Sequence, residues 1–192
     1  MDAQQLARAV GEAMFAADSA SRDFLQMELV SCEPGRAVMR MTVREPMLNG
    51  HKICHGGLIF TLADSTFAFA CNSYNKVAVA AGCSIEFLKP GQLGDVLTCE
   101  GVEQTLQGRH GIYDMKVSNQ RGEVVAMFRG KSAQIAGSVI DDTHASLDVP
   151  SSETTALRPV QDCAGSLGAA GLSPSGAAFA SGRPGGKNPE SP

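Results

Sequence analysis

From Leu58 to Asn75 the chain carries a single charged side chain, Asp64, set in a run of Leu, Ile, Phe and Ala. Removing a lone carboxylate from water is costly unless it is paired or neutralised. One retained in an apolar helix is therefore a candidate general base or nucleophile. The bland alternative is an exposed or capped Asp on a short polar stripe with Thr61, Ser65 and Asn72. Two helical turns upstream, His55-Gly56-Gly57 stands where the helix begins. Backbone N–H groups there lack intrahelical partners and lie at the positive end of the helix dipole. Glycine also lets a ligand oxygen approach the backbone closely. Together these features suit an oxyanion site for acyl transfer.

Other chemistries fit less well. His51, Cys54 and His55 are of metal-ligating types, but no second cluster with suitable spacing accompanies them, so no metal is expected. Gly130-Lys131-Ser132 looks like the end of a phosphate-binding loop, yet Val125 stands where its first glycine belongs. No serine is flanked as in a nucleophile elbow. Cys54 beside His55 is a conceivable thiol nucleophile and ranks below Asp64.

The elements that must position these residues are legible in outline. Met1 to Ala17 is helix-forming, with Leu6, Val10, Met14 and Ala17 at helical spacing. Leu25 to Cys32 and Ala37 to Val43 read as strands joined by a turn at Glu33-Pro34-Gly35, and a loop with Pro46, Asn49 and Gly50 follows. Gly57 to Ser73 reads as a helix apolar on nearly every face, which must be wrapped by something. Val77 to Leu88, Val96 to Leu106, Gly111 to Val117 and Val124 to Ile135 are strand candidates separated by short turns. Short turns imply antiparallel neighbours. The expected architecture is α+β, a curved antiparallel sheet wrapped around a long central helix.

Composition narrows the setting. The chain is 43% hydrophobic and 19% charged, which is globular, and its net charge of -4 argues against a nucleic-acid partner. No apolar run reaches the ~20 residues of a membrane span. Met1 to Arg22 lacks the basic start and apolar block of a signal peptide, so a cytoplasmic location is expected. The six scattered cysteines then read as small apolar residues rather than disulfide partners. Residues 1–140 form the expected domain. Residues 141–192, rich in Gly, Pro, Ser and Ala, are expected to be a disordered tail, since they offer too little apolar area to offset ordering.

The stretch Asn49-Gly-His-Lys-Ile-Cys-His-Gly-Gly-Leu-Ile-Phe-Thr-Leu-Ala-Asp64 closely resembles the hotdog-fold thioesterase superfamily. Within it the chain is similar to the phenylacetate-pathway (PaaI-type) branch, which hydrolyses phenylacetyl-CoA and hydroxyphenylacetyl-CoA. Phe69-Ala-Cys-Asn-Ser, Ile85-Glu-Phe-Leu-Lys-Pro-Gly and Phe128-Arg-Gly-Lys-Ser carry the resemblance further, so that it spans about Ala13 to Gly137. It implies an acyl-CoA thioesterase with Asp64 as catalytic carboxylate, the Gly56 N–H as oxyanion donor, and His55 and Asn49 as positioning residues. It implies no cofactor, and a homodimer or a homotetramer built as a dimer of dimers. Some members carry an Asn near the end of the first helix, where this chain reads Phe15-Ala-Ala-Asp18. Two rival readings are a hotdog hydratase or dehydratase pairing His55 with Asp64, and a non-catalytic acyl-CoA sensor. Helix geometry adds one expectation of its own. Gly56 and Asp64 lie roughly 12 Å apart along one helix at ~1.5 Å per residue, so the two can meet one carbonyl only if they come from different subunits.

Overall fold

The computed structural model describes residues 1–141, and the expected tail from residue 142 onward lies outside them. Helix α1 (Ala3–Ala17) starts at Asp2, whose Oδ1 accepts the Gln5 N–H at 2.8 Å, while Gln5 Oε1 accepts the Asp2 N–H at 3.0 Å. This reciprocal cap satisfies two donors that the first turn would leave open. The buried face of α1 is Ala7, Val10 and Gly11. Of the expected stripe, Leu6 is only half-buried and Ala17 is exposed. The reason is close approach: a Cβ on Gly11 would lie 2.6 Å from the Cβ of Cys32, so the smallest residues face the sheet.

Strands β1 (Glu28–Glu33) and β2 (Arg36–Thr42) precede helix α2 (Gly56–Asn72), and β3 (Ala78–Phe87), β4 (Val96–Gln107), β5 (His110–Ser118) and β6 (Val124–Gln134) follow. They form one antiparallel sheet in the order β1-β2-β4-β5-β6-β3. The chain therefore passes from β2 through α2 to the far edge of the sheet before filling the middle. Helix α2 lies across the concave side, against β2, β4 and β5. This is the α+β hotdog arrangement that the resemblance implies.

The first strand differs from expectation. Residues Ala20–Phe24 form a π-helical turn, closed by the Leu25 N–H donating to the Ala20 carbonyl at 2.9 Å. Gln26 then adopts a left-handed φ of 54°, which breaks any extended run through Leu25, so pairing starts at Glu28. A short 3-10 turn, Glu45–Met47, also interrupts the loop before α2.

Two glycines let the sheet close on α2. A Cβ on Gly101 of β4 would lie 3.1 Å from Thr66 Cγ2, and one on Gly130 of β6 would lie 2.8 Å from the Phe67 ring. Phe67 is fully buried, with its ring 5.6 Å from Tyr113 and 6.1 Å from Phe128. At the other end, Asn72 turns the chain from α2 into β3: its Oδ1 accepts the Ala78 N–H at 2.8 Å and its Nδ2 donates to the Ala78 carbonyl at 3.0 Å.

Gly130→Ala should lower stability by about 1–3 kcal/mol, because Phe67 has no room to retreat and overpacking forces strain. Gly50→Ala, where no atom lies within 4 Å of the added Cβ, is the control and should shift stability little. Equal urea midpoints for the two variants would show that the sheet does not press on the helix at Phe67.

Candidate active site

The loop leading into α2 is pinned at several points. The Asn49 N–H donates to the Ile53 carbonyl and the Lys52 N–H to the Asn49 carbonyl, both at 2.9 Å. Asn49 Oδ1 accepts the His51 N–H at 2.9 Å, and Lys52 takes a left-handed φ of 58° to close the turn. The Cys54 N–H then donates to the Gly91 carbonyl and the His55 N–H to the Met47 carbonyl, both at 2.8 Å. This loop delivers His55 as the helix N-cap, with Nδ1 accepting the Gly57 N–H at 3.1 Å. Its ring orientation is thereby set by the backbone it caps.

The next donor is left open. Among the described residues no acceptor meets the Gly56 N–H. Its carbon side is closed instead, since a Cβ there would sit 3.1 Å from Cζ of Phe87. A free N–H at a helix start, beside an aromatic ring that displaces water, is a preorganised donor for a developing negative charge.

Asp64 sits two turns along the same helix. It is half-buried and has no hydrogen bond or ion pair among the described residues. Burial pushes its carboxyl above the ordinary value of 3.8. A carboxylate held weakly solvated and unpaired is more basic than one in water, which suits proton abstraction. The half-open face around it is continuous: Gly57, Phe60, Thr61, Asp64, Ser65 and Ala68 are exposed or half-buried, at helical spacing. The sheet wraps the other side of the helix, as expected for so apolar an element, and leaves this stripe half-open.

One chain thus sets His55 and Gly56 at the start of α2, keeps Asn49 in the loop before them with Oδ1 accepting the His51 N–H, and holds Asp64 further along the helix. Cys54 is buried and its thiol is pushed up to about 11, so it supplies no thiolate near neutral pH. Of the other cysteines described, Cys32, Cys71 and Cys99 are buried and Cys83 is exposed. At the surface Lys89 pairs with Glu123 at 2.9 Å and Arg129 with Asp114 at 2.6 Å. Gly130-Lys131-Ser132 lies in strand β6 and is not a loop. Of the aromatic residues on or beside α2, Phe67 is core, while Phe15 and Phe60 are half-buried. Sequence reasoning missed Phe87. Phe87 lies within the quoted Ile85-Glu-Phe motif, whose strand placement was legible, but its contact with Gly56 was not.

Residues 51–126 match the family described as Thioesterase superfamily. The acyl-coenzyme A thioesterase PaaI of Escherichia coli (strain K12) is 46% identical over 132 residues, which are 66% of this chain and 90% of that protein. The solved structure of the E. coli PaaI protein from the phenylacetic acid degradation operon superposes with a TM-score of 0.70 at 42% identity, covering 71% of this chain and 99% of that one. A Streptococcus mutans UA159 protein solved bound to acetyl CoA gives a TM-score of 0.56 at 31% identity, covering 58% of this chain and 90% of that one.

The Asp64 shift has a consequence for stability. Because the folded chain holds the Asp64 proton more tightly than the unfolded chain does, the charged form opposes folding. That opposition is complete above the raised pKa and absent below the ordinary carboxylate range. Asp64→Asn should therefore raise the melting temperature at pH 7, and the gain should shrink as the pH falls through the raised value. A variant less stable than the parent at pH 7 would show that the Asp64 charge is compensated in the fold.

Proposed function

This chain belongs to the thioesterase superfamily, and on that premise we propose that it hydrolyses aryl-acyl-CoA thioesters of the phenylacetyl and hydroxyphenylacetyl class to the free acid and CoA. The observation that carries the reading is the pairing of an unpartnered, half-buried Asp64 with an open Gly56 N–H on one helix. The aryl-acyl assignment draws on the similarity to a PaaI protein from a phenylacetic acid degradation operon. A cytoplasmic location, where CoA thioesters are formed, is part of the same proposal.

A thioester suits so sparse a site, since its carbonyl is weakly stabilised by resonance and its thiolate leaves readily. The Gly56 N–H and the dipole of α2 hold the oxygen of the tetrahedral intermediate. Asp64 takes a proton from the attacking water, or itself adds to the carbonyl before water releases the acid. The intermediate collapses by breaking the C–S bond, and the departing CoA thiolate is protonated. His55 and Asn49 hold the carbonyl in line with both groups.

The proposal includes a two-fold assembly. Strand β3 is an edge ten residues long, and an unpaired edge of that length is a template for another strand. Cys83, Ile85 and Phe87 pair with Gly130, Phe128 and Ala126 and so share the concave face, where Cys83 and Phe87 remain exposed. The half-open stripe of α2 looks toward the same uncovered region. Pairing β3 with its copy would set two α2 helices antiparallel, so that Gly56 of one subunit serves Asp64 of the other. Two such dimers would make the tetramer.

Asp64→Asn keeps the side-chain volume and removes the base, so turnover of phenylacetyl-CoA should fall by about two or more orders of magnitude. KM should change little. Near-parental turnover would overturn the assignment. The shared site is tested by mixing Asp64→Asn chains with Gly56→Pro chains, which lack the donor N–H. A purified, folded heterodimer should regain one working site, whereas an inactive heterodimer or an active monomer in sedimentation would refute the sharing.

A further inference from the structure

Ser21 is 1% exposed, and its Oγ lies 3.0 Å from Oγ of Ser65, the residue after Asp64 on α2. The two are 44 positions apart in the chain. This contact is the polar tie between the π-helical turn Ala20–Phe24 and the helix that carries the carboxylate. The turn is braced from other directions as well. Asp18 Oδ1 accepts the Ser21 N–H at 3.0 Å, and the Ser21 carbonyl accepts the Met27 N–H at 2.8 Å. Nη2 of Arg44 donates to the Phe24 carbonyl at 2.7 Å, which links the turn to the loop leading into α2. Arg22 also donates to the carbonyl of Ala16. Leu25 and Met27, each 3% exposed, anchor the end of the turn in the core.

Against this bracing, the aromatic ring of Phe24 is left 72% exposed. The other braces tie the turn to the end of α1, to the chain that follows it and to the loop before α2, whereas the hydroxyl pair ties it to α2 itself. The pair lies on the half-open side of α2, next to the carboxylate, where an acyl group being hydrolysed must lie. We propose that Ser21 is a positioning residue: through Ser65 it fixes the Ala20–Phe24 turn as one wall of the acyl pocket, with Phe24 as the surface that favours an aryl group. This rests on reading Asp64 as the catalytic carboxylate. The wall sets which acyl groups are held in line, and Asp64 and Gly56 act on whatever is held.

The test is the ratio of kcat/KM for phenylacetyl-CoA to that for butanoyl-CoA, measured on the full chain. Ser21→Ala should lower that ratio by about 3- to 10-fold, the effect of losing one hydrogen bond, chiefly through a higher KM for the aryl ester. Ser65→Ala should do the same, and the double variant should be no worse than either single one, because both remove one contact. Ser65→Thr keeps the hydroxyl and should retain the parental ratio. Phe24→Ala removes an exposed ring, spares the core and should also lower the ratio. Unchanged ratios in Ser21→Ala, or in Ser65→Ala and Phe24→Ala should Ser21→Ala not fold, would overturn the proposal. Simple additivity of the two serine variants would do so as well. Asp64→Asn assayed alongside separates the two readings. If it stays active, the catalytic assignment has failed; if it is inactive while the ratios hold, only the wall has failed.

Discussion

The desolvation of Asp64 is the constraint on which the rest of this structure turns. A helix as apolar as α2 must be packed against something, and the sheet covers it from β2 across to β6. Complete cover would neutralise or expel the carboxylate. The fold leaves one stripe of the helix half-open, and there Asp64 is shielded enough to be made more basic yet keeps access to water. That balance depends on how deeply the opposite face is sunk. The glycines at 101 and 130 set this depth by letting Thr66 and Phe67 press into the sheet.

The same helix supplies the second electrostatic element. Its first turn begins with a cap, His55, that accepts from Gly57 and leaves the Gly56 donor free. A serine or aspartate cap would satisfy the same orphan group with a smaller or charged side chain. An anionic cap would compete with an oxyanion for the positive end of the dipole, whereas an imidazole accepting through Nδ1 adds no anion there. The loop from Arg44 to His55 holds this geometry through backbone hydrogen bonds within itself, His55 to Met47 among them, and through the Cys54 N–H donating to the Gly91 carbonyl. Phe87 completes the arrangement from the end of β3, so a strand that follows α2 in the chain returns to its start in space.

Local signals made much of this legible. Glycine and proline turns bounded the four strands after α2 to within two residues, because turn chemistry acts over a few positions. The lone Asp64 and the His55-Gly56-Gly57 start were visible as types at helical spacing, and the resemblance to the family supplied the roles proposed for them. The strand expected from Leu25 begins only at Glu28, because a left-handed Gln26 and a π-helical turn have no strong sequence signature. The expected face of α1 was shifted because helical periodicity ranks residues by apolarity, while the sheet surface at Cys32 selected the smallest ones.

The sequence by itself thus determined the α+β class, the central helix and the residue types of the site. Each of these follows from interactions between near neighbours or from composition. Only the tertiary structure decided that β3 crosses to the edge beside β6, that one side of an evenly apolar helix stays half-open, and that Ser21 meets Ser65. Those outcomes depend on contacts between residues distant in the chain, and these are set by how the whole sheet curves and closes on α2. An apolar pattern repeated on every face names no direction, so the side left to water was chosen by the packing of the other side.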